Sequence, residues 1–396
     1  MTHDAVTDAV EDRSTSTTTL STTVDRLVSL SLRGLPQMYR ADSRAFVQTV
    51  RGAAGTTGPR LVQEGTNLRY AAIVALGLHH TDEAVQRQVL SGITAAELSA
   101  AVAKRAERDT DPGAVALAAW AAAEVEHRHA GALFGRVRDM LASGAPMPTV
   151  DTAWMLSAAV AAAYLGDTDD VVATTRTRLL VEQGPHGIFP HALPAGSLGR
   201  LRAHVGCFAD QVYPIQALAR MASVRADSEA LVAANACARR IRDLQGAAGQ
   251  WWWHYDARDG TVVEGFPVYS VHQHAMAPMA LFDLFDAGGD DHRDAVVSGL
   301  SWLTTHPEVL DELVDDRLGV VWRKVGRREP SKAARTLNAV TTAFRPGFTI
   351  PGQDRAFPTT LVDHECRPYE LGWLLYAWLR HGTAATALLA EESSRA

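Results

Sequence analysis

The stretch Thr152 to Gly166, TAWMLSAAVAAAYLG, decides how this chain is read. Its apolar residues go round the whole circumference of a helix instead of along one stripe, which is the composition of a helix buried on all sides. The short acidic turn Asp167-Thr168-Asp169-Asp170 follows, and then a more charged, amphipathic segment. The same succession recurs along the chain. YAAIVALGL lies within Leu68 to Leu78 and VALAAWAAAEV within Ala114 to Val125, with further apolar runs at Ala209 to Ala222, Val271 to Phe285 and Tyr369 to Leu379. Turns such as HHTDE, VRADSE and AGGDD separate them from amphipathic partners. Repeated about six times, the alternation predicts an all-α fold: an α/α toroid, with an inner ring of helices wrapped by an outer ring.

Composition agrees with a folded helical domain. The chain has 396 residues, of which 47% are hydrophobic and 21% charged, and long Ala- and Leu-rich runs that favour helix. The segment 1–23, acidic and rich in Ser and Thr, reads as a disordered tail, and 24–392 as one toroid domain. A net charge of −7, from 38 basic and 45 acidic residues, argues against a nucleic-acid or anionic-membrane surface. Cys207, Cys237 and Cys366 form no CxxC pair, so neither a disulfide framework nor a structural zinc module is expected. With no export signal and no run long enough to span a bilayer, the expected compartment is the cytoplasm. No cofactor is implied, and the expected partner is a small molecule, a sugar or an isoprenoid.

Two amphipathic segments end in the same phrase. LLVEQGPHGIF carries Gln183 before Gly187 and Phe189, and IRDLQGAAGQW carries Gln245 before Gly249 and Trp251, an internal repeat of about 62 residues. The phrase resembles the QW repeat of terpenoid cyclase and prenyltransferase toroids, and looser forms are similar to those of six-hairpin glycosidases. The resemblance implies a toroid and an enzyme of one of these two chemistries. Asp167-Thr168-Asp169-Asp170 also matches the DxDD acid box of class II terpenoid cyclases, but it follows an inner helix where the box should open one, so a helix-capping role is expected. At the start of that inner helix only Asp151 and the following Thr152-Ala153 remain of such a pattern.

Connections from inner to outer helices are short and those from outer to inner helices long, which places the long ones on one face, around the mouth of a central cavity. The richest is QGAAGQWWWHYDARDGTVVEGFPVYSVHQH, Gln245 to His274. A loop with this many large rings is expected to wall a cavity, with Trp251, Trp252, His254 and Tyr269 meeting a ligand. In extended chain, Trp251 and Trp253 should face one way and Trp252 with His254 the other. Arg69 and Tyr70 on the first inner helix and Arg367 and Tyr369 on the last add polar groups. Asp151, Asp210 and Glu365, with Asp363 and Glu370 nearby, supply candidate carboxylates for acid and base work, and His272 a candidate imidazole. His272 and His274 lie about 200° apart on a helix and so cannot share a metal. Cys207 with Asp210, and His364 with Cys366, have a spacing reminiscent of prenyltransferase zinc ligands without matching it closely, and no metal is expected.

A wet, polar wall suits a hydroxyl-rich ligand better than a carbocation. The expected function is therefore a carbohydrate-active enzyme, a hydrolase, lyase or epimerase. A terpenoid cyclase and a toroid that only binds a glycan or a protein are the alternatives.

Overall fold

The computed structural model describes residues 21–54, 59–380 and 387–388. Residues 1–20 of the expected tail and the expected domain end at 392 lie outside the described residues. Helix α1 spans 21–34, so residues 21–23 are already helical. The helices that follow are α2 Leu68–Leu78, α3 Glu83–Val89, α4 Ala95–Ala106, α5 Pro112–Val125, α6 Gly131–Ala142, α7 Thr149–Ala161, α8 Asp169–Glu182, α9 Ala209–Arg225 and α10 Ser228–Asp243. After a π-helical turn at His272–Met276 come α11 Ala277–Asp286, α12 Arg293–Thr305, α13 Ala333–Phe344, α14 Gln353–Ala356 and α15 Pro368–Arg380.

Among the described residues, α2, α5, α7, α9, α11 and α15 pack each against the next and close a ring. In α5, all but two of the residues are buried, because its Ala-rich surface meets helices on both sides and the barrel interior within. Outer helices show the opposite logic. In α10, Ala230, Ala233, Ala234, Cys237, Ala238 and Ile241 are buried along one stripe while Arg239 and Arg242 face water. Starts are set by side chains: Asp227 accepts from the Ala230 amide at 2.9 Å, and Thr94 with Glu97 forms a capping box on α4.

The two repeated phrases are one device used twice. The Gln183 side-chain amide donates to the Gly187 carbonyl and to the Ala233 carbonyl of the next outer helix, both at 2.9 Å. Gln245 does the same to Gly249 at 2.8 Å and to Ala295 at 3.0 Å. Each glutamine thereby staples the end of its helix to its neighbour. Gly187 and Gly249 have φ of +86° and +91°, and a Cβ on either would collide with the backbone of that neighbour. We expect Gln245→Ala to cost about 1–3 kcal/mol, the value of two such hydrogen bonds, in urea unfolding.

At the C-terminal ends of the inner helices the barrel is sealed by charge. Arg220 donates to Glu124 at 2.8 Å, Arg380 to Asp283 at 2.8 Å, and the Tyr376 hydroxyl to Glu124 at 2.9 Å. Burial alone would raise the Glu124 carboxyl, but Arg220 and Arg380 hold it well below the usual range. The opposite end carries the long connections, tied by short antiparallel strands such as Val205–Cys207 on His254–Asp256 and Val268–Tyr269 on Lys324–Gly326. Among the described residues no helix is long and apolar enough to cross a membrane.

Candidate active site

A cavity of about 360 Å³ opens among the N-terminal ends of the inner helices. Asn67, Arg69, Tyr70 and Ile73 come to it from α2, Val150 and Trp154 from α7, Ala209 and Tyr213 from α9, and Tyr369 from α15. The loops add Trp253, Tyr269, His272 and Arg323. Half of the lining residues carry rings. Trp253 lies parallel to His272 with ring centres 6.0 Å apart and meets Tyr269 edge-on at 4.5 Å, while Tyr70 and Tyr369 pair at 4.8 Å. Arg335 of helix α13 lies over one face of the Trp253 ring at 5.0 Å.

Two guanidinium groups line this wall, and they differ in what they have left to give. Arg69 spends four of its five donors: Nε donates to Asp111 at 2.6 Å, Nη1 to Asp151 at 2.9 Å, and Nη2 to both carboxylates. Arg323 lies over the Tyr269 ring at 4.7 Å and donates one bond, from Nη1, to Glu370. Its remaining donors are neither bonded within the protein nor sealed from solvent, so they face the cavity. Arg367 stands just behind, donating to the Tyr70 hydroxyl at 3.2 Å and pairing with Glu365.

The carboxylates sit behind these cations. Asp151 is 2% exposed. Burial pushes its carboxyl up to about 6 against the pull of Arg69, helped by the charges of Asp111 and Asp210. Burial also raises Glu370, against the opposing pull of Arg323. Asp210 is fully buried at the start of α9, where its Oδ2 accepts from the Cys207 amide at 2.7 Å and meets His191 Nδ1 at 2.9 Å. The Asp210 charge raises the His191 imidazole in turn, while burial and the same carboxylate push the Cys207 thiol up. Burial drives His272 well below its ordinary value, leaving a neutral imidazole against the cavity.

Of the residues singled out in the sequence, Arg69, Tyr70, Tyr269, His272 and Tyr369 line the cavity. Others do not, among them Asp151, Asp210 and Arg367, which stand behind its wall. Trp251 is wholly buried on Phe208 and cannot meet a ligand. Trp252 turns to a separate cavity beside Phe266 and Arg327, where its Nε1 donates to the Leu244 carbonyl at 2.7 Å. His254 is buried within a paired strand. The expected alternation of Trp251 with Trp253 is therefore corrected: the three rings point to three environments, because regular strand begins only at His254. Glu365 lies in a short strand just before α15, paired with Arg51 and Arg367. His274 is fully buried, away from the cavity wall.

Trp253, Trp154, Asn67 and Arg323 were missed as cavity residues. Trp154 was legible as the first ring of its inner helix. Arg323 had no local signal, since strand pairing across a long connection brings it in. The DxDD-like turn lies at the sealed end, where Asp170 pairs with Arg138 and Asp169 with Arg225. The cluster starts outer helix α8 as expected, but the Thr168 N-cap makes no side-chain cap bond, and the aspartates pair with arginines instead.

No protein-family model matches the chain, and no curated protein does. Solved structures of similar shape do exist. An unsaturated glucuronyl hydrolase specific for heparin shares 13% identity at a TM-score of 0.55, over 93% of this chain and 98% of that one. The unsaturated glucuronyl hydrolase of Bacillus sp. GL1, described as responsible for glycosaminoglycan degradation, shares 12% at 0.52, over 92% and 97%. A possible GH105 member from Salmonella enterica shares 10% at 0.53, over 91% and 94%. The closed double ring of helices is thus an α/α toroid, the fold these solved structures share.

Proposed function

We propose that this chain is a carbohydrate-active enzyme that cleaves a glycosidic linkage at an acidic, uronate-type sugar, with Asp151, once released from its pairing with Arg69, as the proton donor. The observation that carries the reading is Arg323, a guanidinium with donors turned into a small cavity walled in large part by rings. A planar fork of N–H groups matches a carboxylate, and ring faces match the apolar face of a sugar. Trp253, Tyr269 and Tyr369 offer those faces, and Asn67, Tyr70 and the neutral His272 offer hydrogen bonds to hydroxyls. A carboxyl with a pKa of about 6 holds its proton often enough to give it to a leaving oxygen and is acidic enough to give it readily. The similarity in fold to unsaturated glucuronyl hydrolases supports the same substrate class.

The test is a panel of uronate-containing and neutral oligosaccharides given to the purified protein, with products followed by mass spectrometry. Cleavage confined to acidic glycans is expected. Arg323→Met should raise KM on them about 10- to 100-fold, the value of one charged hydrogen-bonded contact. Binding without any product across the panel would leave a glycan-binding toroid instead, and cleavage of neutral glycans alone would remove the reading.

A further inference from the structure

The other buried carboxylates of this fold each carry an arginine: Asp151 with Arg69, Glu264 with Arg327, Asp283 with Arg380 and Glu370 with Arg323 among them. Asp210 is as buried as any of these, yet among the described residues its one charge partner is the His191 ring. Its Oδ2 is used by His191 and the Cys207 amide, while Oδ1 is sealed from solvent with no hydrogen-bond partner. An unmet buried carboxylate oxygen is costly, and here it marks a missing positive charge. The Cys207 thiol stands beside the same carboxylate, so the ligand atoms of His191, Cys207 and Asp210 all lie within 4.8 Å of one another.

We propose that His191, Cys207 and Asp210 bind one zinc ion at the edge of the central cavity, which the adjacent Ala209 lines. One imidazole nitrogen, one thiolate and one carboxylate are the donor types and number of a zinc site that keeps its fourth position open. The His191 side chain is 44% exposed, which gives the ion a path from solvent. On binding, the Cys207 thiol releases its proton to solvent, His191 Nδ1 turns its lone pair to the metal, and the ion remains Zn(II), with no redox change. The ion supplies the counter-charge that an arginine supplies elsewhere.

The site is tested without any sugar, so its outcome is separate from that of the proposed reaction. Full-length protein is stripped with a chelator, reloaded with zinc, desalted and assayed for metal, and in parallel titrated with cobalt(II). About one zinc per chain should be retained. Cobalt should give a near-ultraviolet thiolate charge-transfer band that excess zinc bleaches and Cys207→Ser abolishes. His191→Ala, at a half-exposed position that spares the core, should weaken zinc binding at least about tenfold with the helical circular dichroism unchanged. Folded wild-type protein that retains no zinc and shows no cobalt band overturns the proposal. So does a band that persists in Cys207→Ser.

Discussion

Asp151→Asn is expected to lower turnover of an acidic glycan by about 10²- to 10⁴-fold, the range of a lost general acid, without lowering the melting temperature. The two halves of that result have one cause. Folding raises the carboxyl from 3.8 to about 6, so the ionised form is the one the fold disfavours. The sign follows directly. Below the unfolded value both states hold the proton and nothing is lost, whereas stability falls as pH rises from about 4 towards 6 and stays lower above it. The penalty is at most about 3 kcal/mol, and the amide, which cannot ionise, escapes it. At pH 8 the variant should therefore melt no lower than wild type, although Arg69 keeps only Asp111 as a full charge partner. Wild-type kcat/KM should fall as pH rises through about 6, and the residual activity of Asp151→Asn should lack that limb.

The second large effect separates three neighbouring tryptophans. Trp251→Ala should cost about 3–5 kcal/mol in denaturant unfolding, because a fully buried indole leaves a cavity between Phe208 and the outer helices. Trp253→Ala should stay within about 1 kcal/mol of wild type, as its partly exposed ring faces the cavity, and should weaken glycan binding instead. Fluorescence quenching on ligand addition should diminish with loss of Trp253, leaving the share of Trp154, and survive intact the loss of Trp252, which faces the other cavity. Equal stability losses for Trp251→Ala and Trp253→Ala would mean that the loop is a plug.

The inner ring was legible in the sequence because burial on every side leaves a mark that local reading can find. YAAIVALGL and VALAAWAAAEV have no polar stripe, and their helices lie where that absence placed them. The face of the site was legible too, since loop length alternates regularly. Its detail was not. Which way Trp251, Trp252 and Trp253 point depends on backbone that is not regular strand, so a two-residue period had nothing to act on. Arg323 and His191 reach their places through connections whose pairing is non-local, Val268–Tyr269 on Lys324–Gly326 and Met147–Pro148 on Ala192–Leu193. The carboxylates at helix starts were found as residues, but their ranking needed their partners: Asp151 and Asp210 differ in whether an arginine stands beside them, and no spacing encodes that.

The central claim, that the cavity reads an acidic sugar through Arg323, is tested most directly by kcat/KM for two oligosaccharides that differ only in bearing a carboxylate or a hydroxymethyl group at the sugar bound there. Wild type should prefer the acid by about 10- to 100-fold, and Arg323→Met should reduce that preference to within a few-fold. Equal turnover of the two by wild type, or a preference that survives Arg323→Met, would contradict the account.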